Sequence, residues 1–389
     1  MKFFDFGHRL NLQEEVNEIY LHRFLLTLAL GTVTIFLPLY LYDLGMAVQS
    51  IFLFYTVYYA TFVVTSLPAA FLASRIGYKR TSLASSPFIL GFYLVLRSFE
   101  TAGVWLYPTA ALGGLGFIVY WIGMNSEMAR NSHDDTREEE TGYFFSMPLL
   151  ATVIAPIFGG LLLSLYGFKL LFLVALGLIA VSYTPFLFSE EHYEGMGVEL
   201  RKVFGTRNAA DFLTYYFVGV ISITKKVVWP LYLALIVKGA LNIGGAGSIR
   251  AFGGAVVSIL IGRISTRANR GRILLYGGAA ASLTYLAMSA VATPVQAFAV
   301  SLVNGMLMIT VRIPIYTEAM ENAEAADILE YFSFREIGLC SGRITVLLTG
   351  FYLFSTFPLE KAFLYAFIIS TVTLYPLIFF ARRMDLTNT

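Results

Sequence analysis

Apolar residues run along this chain in stretches of about 18 to 25, the length a helix needs to cross roughly 30 Å of hydrocarbon at 1.5 Å per residue. Short polar turns separate them. The pattern predicts about twelve spans, the first six near Tyr20–Tyr42, Gln49–Ala73, Thr81–Ser98, Val104–Met124, Tyr143–Tyr166 and Lys169–Phe188. A second six follow near Phe212–Val237, Ile243–Ile264, Ile273–Ala292, Pro294–Thr317, Phe334–Thr356 and Leu359–Ala381. Between the sets lies the one candidate linker, Glu190 to Ala210, with Glu190, Glu191, Glu194, Glu199, Arg201, Lys202 and Arg207. The expected organisation is a segment 1–19, a six-helix bundle 20–188, a linker 189–210, a six-helix bundle 211–381 and a tail 382–389.

Lys and Arg fall in alternate loops, and their excess marks the cytoplasmic side. One side receives Lys2 and Arg9, then Arg75, Lys79 and Arg80, then Arg130 and Arg137, the linker, Arg263 to Arg272, and Arg382 with Arg383. The other receives little beyond Arg97, Lys169, Lys238 and Lys361. Both termini are therefore expected in the cytoplasm, which requires an even number of spans. Residues Met1 to Asn17 lack the apolar core and small-residue site of a cleaved signal, so the first span is expected to direct insertion into the cell membrane.

Composition agrees with lipid as the solvent. The 389 residues are 57% hydrophobic and only 13% charged, and a formal charge of +2 gives no ground for a nucleic-acid partner. A lone cysteine, Cys340, forbids an intramolecular disulfide and reads as a small buried side chain. No G-x-x-x-x-G-K-S/T run is present, and the glycines from Gly244 to Gly254 read as close helix packing. The histidines His8, His22, His133 and His192 are dispersed, so neither metal nor cofactor is expected, nor an enzyme's nucleophile.

Two sequence matches at nearly the same offset suggest duplication. Ala70-Phe71-Leu72-Ala73-Ser74-Arg75-Ile76-Gly77-Tyr78-Lys79-Arg80 is echoed by Gly262 to Arg272, and Ser126-Glu127-Met128 by Thr317-Glu318-Ala319. At these residues the chain resembles the major facilitator superfamily, whose signature between helices two and three has the form G-x-L-a-D-R-x-G-R-K-R. Ala70, Leu72, Arg75, Gly77, Lys79 and Arg80 fit or nearly fit it. Ser74 stands where the family has its aspartate, and Thr266 at the equivalent place in the second half. The resemblance implies an all-α integral membrane fold of two pseudo-symmetric six-helix bundles around a central site, and alternating access to a small-molecule substrate.

The same resemblance implies a gate. Gly77 permits the tight turn, Arg75 and Arg80 are placed to meet Glu127, and Arg267 or Arg272 to meet Glu318. The plain alternative is that these arginines follow the charge rule and touch water or lipid phosphate. Ser74 cannot pair with Arg75, so Glu336 is expected to supply the missing charge across the halves. Gly142, Pro156, Gly159 and Gly160, with Ala151 and Ala155 where glycines are usual, look like the family's antiporter motif. That motif would imply a proton exchanged for substrate; helix packing is the other reading.

Ionisable residues inside the hydrocarbon mark candidate function, because each is costly unless it faces protein or water. Lys225 and Lys226 lie roughly 21 Å into helix seven. With Ser222 and Trp229 they share an i, i+3, i+4, i+7 face, which suggests an anionic substrate with Trp229 as an apolar wall. Snorkelling, or carboxylates that sequence does not reveal, would also explain the lysines. Arg250, Arg312 and Arg343 are the other intramembrane cations, the last two serving cavity or gate. Asn304, Tyr120 and Trp121 are candidate cavity groups that would equally serve packing. Glu18, Asp43, Glu127, Glu318 and Glu336 all fall near predicted helix ends, so no carboxylate is expected at mid-depth. The sum is a monomeric carrier of a small organic anion or drug-like efflux substrate, with a lipid flippase or a non-transporting receptor as rivals.

Overall fold

Hydrocarbon offers backbone N–H and C=O groups no partner, so a spanning segment must satisfy them internally. The computed structural model describes residues 14–130, 137–187, 203, 209–265, 269–324 and 327–384, and all regular structure among them is helical. In chain order the helices are α1 (Glu14–Val33), α2 (Leu37–Asp43), α3 (Val48–Ile76), α4 (Tyr78–Ala84), α5 (Ser86–Ser98), α6 (Leu106–Arg130), α7 (Arg137–Ser182) and α8 (Thr184–Leu187). There follow α9 (Ala209–Ile223), α10 (Trp229–Tyr232), α11 (Ala240–Ile264), α12 (Arg270–Ser289), α13 (Pro294–Glu324), α14 (Ile328–Thr356) and α15 (Leu359–Met384). The expected linker 189–210 lies outside the described residues except for Val203, Ala209 and Ala210, and Arg267 lies outside them too.

Among the described residues, eight stretches are long and apolar enough to cross a membrane: Leu21–Asp43, Val48–Ile76, Leu106–Met128, Pro148–Leu187, Ala209–Val237, Pro294–Ala323, Ile328–Thr356 and Leu359–Arg382. Pro148–Leu187, at 40 residues, is twice a crossing and turns at Gly167, whose φ of 76° suits glycine. The predicted spans Tyr143–Tyr166 and Lys169–Phe188 lie on its two sides. Three other predicted spans are helical but fall short of that measure among the described residues. Thr81–Ser98 is divided at Ser85 between α4 and α5, where Pro87 withholds a backbone donor. Ala240–Ile264 and Arg270–Ser289 are diluted by glycines and arginines.

Packing follows the sequence halves. In the first, α1 lies on α7, and α6 takes α3, α4 and α5; in the second, α9 lies on α14 and α15, and α13 on α11 and α12. Two seams join them, α3 against α14 and α7 against α11. The glycines from Gly244 to Gly254 line the second seam and the α13 contact, as the packing reading expects: Gly244 meets the Pro156 carbonyl and Gly253 the Leu302 carbonyl.

Small residues carry the tightest crossing as well. A Cβ on Gly219 of α9 would run into the Leu339 carbonyl of α14, and one on Gly342 of α14 into the Tyr216 carbonyl of α9. Both backbones occupy the space a side chain needs. Gly219→Leu or Gly342→Leu is expected to force the pair apart and abolish the monodisperse peak in detergent gel filtration. A variant that elutes and melts like the parent would contradict this contact.

Candidate functional site

Helix α9 ends in a wide turn, Thr224–Val228, where the Trp229 N–H reaches back to the Thr224 carbonyl. Pro230 accounts for it, since proline has no hydrogen to give the Lys226 carbonyl and the ladder relaxes to five-residue spacing. A second wide turn, Leu233–Val237, ends at Lys238 with φ 62°. The wide turn breaks the register on which the four-residue face was predicted. Trp229 is only 2% exposed, donates from Nε1 to Ser301 Oγ at 3.2 Å and stacks on Tyr232 at 5.7 Å. It belongs to the core of the second half and is no wall for the lysines, which corrects that part of the expectation.

The lysines themselves meet other cations. Lys225 is open to a water-sized volume although protein surrounds it on every side, and Arg312 shares both properties. A water-accessible internal space reconciles the two. Arg250, Arg312 and Lys226 lie within electrostatic reach of Lys225. Arg250 faces the Tyr285 hydroxyl, and Asn304, fully buried, donates to Thr284 Oγ1 at 2.6 Å beside it. Asn304 therefore supports the wall behind Arg250.

Across the same space Lys226 Nζ donates to the Tyr59 hydroxyl of α3 at 3.0 Å, and the Arg343 guanidinium lies 4.9 Å from the Tyr59 ring centroid. Arg343 Nε also donates to Ser222 Oγ at 3.2 Å. One phenol of the first half thus holds two cations of the second. Arg312 and Arg343 were candidates for cavity or gate; the structure sets both beside the central cations.

Tyr120 and Trp121 stand apart from the lysines. They meet each other at 5.2 Å, and the Arg23 guanidinium lies 5.9 Å over Trp121. Tyr316 connects this group to the rest, within electrostatic reach of Arg23, Arg312, Arg335 and Glu336.

Glu336 is engaged differently from the expectation. Helix α14 starts at Ile328 instead of Phe334, which puts Glu336 two turns inside it, roughly 12 Å from its first residue. Its carboxylate, 6% exposed, takes Arg335 at 3.0 Å and Arg343 at 3.9 Å. The acid thought to lie at a helix end and to complete the loop motif across the halves is instead buried between two arginines of its own helix.

The gate residues are re-partnered too. Arg75 and Arg80 are exposed, and Lys79 meets Glu127 at 4.0 Å with both side chains buried. Ser74 Oγ donates to the Phe71 carbonyl of its own helix. In the second half Arg272 is exposed, and Arg270 reaches Glu318 at 3.5 Å and grips Glu321 through two bonds of 3.0 and 2.7 Å. Arg270 and Glu318 are 48 residues apart, as are Lys79 and Glu127. The two ion pairs therefore occupy equivalent places in the repeat, one position away from the alignment of the basic loops.

Against known proteins, the family model of the Major Facilitator Superfamily matches residues 19–345. The chain belongs to that superfamily. Its fold is similar to the crystal structure of a POT family transporter in complex with 5-aminolevulinic acid, with a TM-score of 0.71, 13% identity, and coverage of 95% of this chain and 96% of that one. The uncharacterized protein YqgE of Bacillus subtilis (strain 168) is 30% identical over 127 residues, which span 31% of this chain and 30% of that protein. The match thus spans under a third of the relative's length.

Membership makes this a multi-pass membrane transporter. The superfamily signature lies at the α3–α4 turn, where Gly77 has φ 93° and Lys79 reaches the α6 carboxylate. Of the residues that resembled the antiporter motif, Pro156 and Gly160 meet α11, and Ala155 and Gly159 meet α1. Ser248 Oγ accepts from the Ile157 N–H, just past Pro156, at 3.0 Å, and Gly159 and Gly160 abut the Thr32 and Ala240 carbonyls. Ala155, Pro156, Gly159 and Gly160 thus make close helix contacts.

Among the residues that matter, Tyr59, Arg23, Arg335, Arg270 and Glu321 were not singled out for these roles from sequence. Arg23 and Arg335 carried a signal, being charges close to or inside predicted spans. Tyr59 carried none: it is one tyrosine in a run with Tyr55 and Tyr58.

Proposed function

We propose that this transporter carries a small organic anion by alternating access. In this reading the halves 20–188 and 211–381 make twelve crossings and rock about the Lys225 site. Both termini lie in the cytoplasm, and the protein acts as a monomer in the cell membrane. The observation that carries the reading is the convergence of Lys225, Lys226, Arg250, Arg312 and Arg343 on one internal space, two of them open to water within it. Cations at that depth are costly unless they face water, protein or a counter-ion, and a substrate anion supplies the last. The similarly folded POT family transporter was solved with an organic acid, 5-aminolevulinic acid, which supports a site of that scale.

Tyr59 has a part in this reading. Its hydroxyl and ring occupy Lys226 and Arg343 while the space is empty, so an arriving anion competes with a neutral partner and loosens the tie between halves. Tyr59→Phe keeps the ring under Arg343 but frees Lys226; anion affinity is expected to rise a few-fold, as a hydrogen bond to a charged group contributes about 1.5–3 kcal/mol at most.

The function is tested by exchange of labelled organic anions across proteoliposomes, in parent protein and in Lys225→Gln/Lys226→Gln. Exchange by the parent and none by the folded variant is the expected result. Equal rates in both, or movement of labelled lipid in place of anions, would overturn the reading.

A further inference from the structure

Lys225, Arg250 and Arg312 come from the wide turn after α9, from α11 and from α13, and they share one stretch of the internal space. Among the described residues no carboxylate lies within 4.0 Å of any of them. Glu336, the acid buried beside the site, is already held at 3.0 Å by Arg335 and at 3.9 Å by Arg343. The groups set against Arg250, Tyr285 with Asn304 and Thr284 behind it, are neutral donors and acceptors. Three cations thus share one water-accessible stretch with neutral groups and no carboxylate of the described residues against them, and each gains from an anion that takes the place of water there. Two guanidinium forks with an ammonium beside them suit clustered anionic oxygens, which they bind through short charge-assisted bonds. An occupant with one negative charge leaves two of the three unmatched.

Lys226 and Arg343 differ from this trio. They have Tyr59, Ser222 and Glu336 as partners in the empty protein. The uncompensated charge is therefore confined to one wall, and it belongs entirely to the second half.

We infer that the solute is a small organic anion carrying at least two negative charges, a phosphate monoester or a di- or tricarboxylate, taken jointly by Lys225, Arg250 and Arg312. The inference rests on the reading of this space as the substrate site and adds the charge of its occupant. Phosphate and carboxylate share the chemistry of clustered anionic oxygens, and the test separates them.

The test uses the full-length protein in detergent at constant ionic strength, with thermal stabilisation as readout. Butyrate, succinate and tricarballylate offer one, two and three carboxylates; glucose and glucose 6-phosphate offer a neutral and a dianionic partner on one frame. Apparent affinity is expected to rise at least tenfold from butyrate to the best multiply charged anion, with no response to glucose. In Lys225→Gln and in Arg312→Gln that rise shrinks about tenfold, whereas Lys169→Gln, at a surface lysine paired with Glu100, keeps it. A folded parent protein whose affinity does not climb with charge, or that binds none of the five, overturns the inference. Transport is read separately in proteoliposomes. Exchange of a neutral solute without charge-ordered binding defeats the inference and leaves the carrier reading standing. Charge-ordered binding without any exchange does the reverse.

Discussion

Lys225→Gln is expected to raise the melting temperature of the empty protein by a few degrees while cutting its affinity for anions about 30- to 150-fold. The two effects have one cause. In the empty state Lys225 gains nothing from a counter-charge and repels Arg250, Arg312 and Lys226. Two unit charges 4 Å apart interact by about 4 kcal/mol at an effective dielectric of 20, and less with distance and internal water, so relief of roughly 1–2 kcal/mol is reasonable. Glutamine keeps the length of the stem and removes the charge. With an anion bound the sign reverses, because each cation then contributes a charge-assisted bond. Losing one costs on the order of 2–3 kcal/mol, which is the quoted change in affinity. A structural lysine would behave otherwise: its removal would lower the melting temperature and leave ligand-induced stabilisation intact. Thermal unfolding with and without anion, in parent and variant, separates the cases, and a variant less stable than the parent when empty contradicts the mechanism.

The fold was legible in sequence wherever lipid dictates it. Run length located the helices, and the shared 48-residue spacing of Lys79–Glu127 and Arg270–Glu318 fits the repeat read from the offset of Glu127 and Glu318, because such signals are set by solvent and by local backbone. Depth along a helix was less legible. Hydropathy placed the start of α14 at Phe334 because Glu330 and Asp327 look like loop residues, yet Glu330 is buried at 2% exposure. That error moved Glu336 to a helix end and hid an acid that lies two turns inside its helix. Side-chain direction was less legible still. A regular helix puts Trp229 on the face of Ser222, Lys225 and Lys226, but Pro230 forces a wider turn and Trp229 swings to Ser301. The proline was in plain view, and only its consequence for register was missed. Tyr59 could not have been found at all, since its role comes from cations of the other half that tertiary packing alone brings to it.

The gate shows the same limit in electrostatic form. Positive charge at the two equivalent turns was evident, but which cation turns inward depends on a single residue of helical phase. Lys79 and Arg270 turn in; Arg75, Arg80 and Arg272 face out. Only the inward pair escapes the screening that makes exposed ion pairs worth about 0–1 kcal/mol. The buried bridge is therefore the feature that the two equivalent places share.

Arg270→Met is accordingly the substitution expected to harm stability most at that end of the molecule, by roughly 3–5 kcal/mol, the range for removing one partner of a buried ion pair. Arg270 joins the first turn of α12 to the last turns of α13, through Glu318 at 3.5 Å and through both oxygens of Glu321. Its side chain is 8% exposed and that of Glu318 is 6%. Methionine fills much of the same volume but leaves a buried carboxylate without its guanidinium. Lys79→Met should cost less, because the Lys79 ammonium stands 4.0 Å from Glu127, longer than any of the three Arg270 contacts. The triple change Arg270→Met/Glu318→Gln/Glu321→Gln removes the stranded charge along with its partner, and should recover more than half of the loss. Melting midpoints of the four proteins in detergent check the ranking, and a double-mutant cycle on Arg270 and Glu318 isolates their coupling. Were Arg270→Met to melt with the parent, or the triple variant to be the least stable of the four, the bridge would be a by-product of the charge rule and no fastening between α12 and α13.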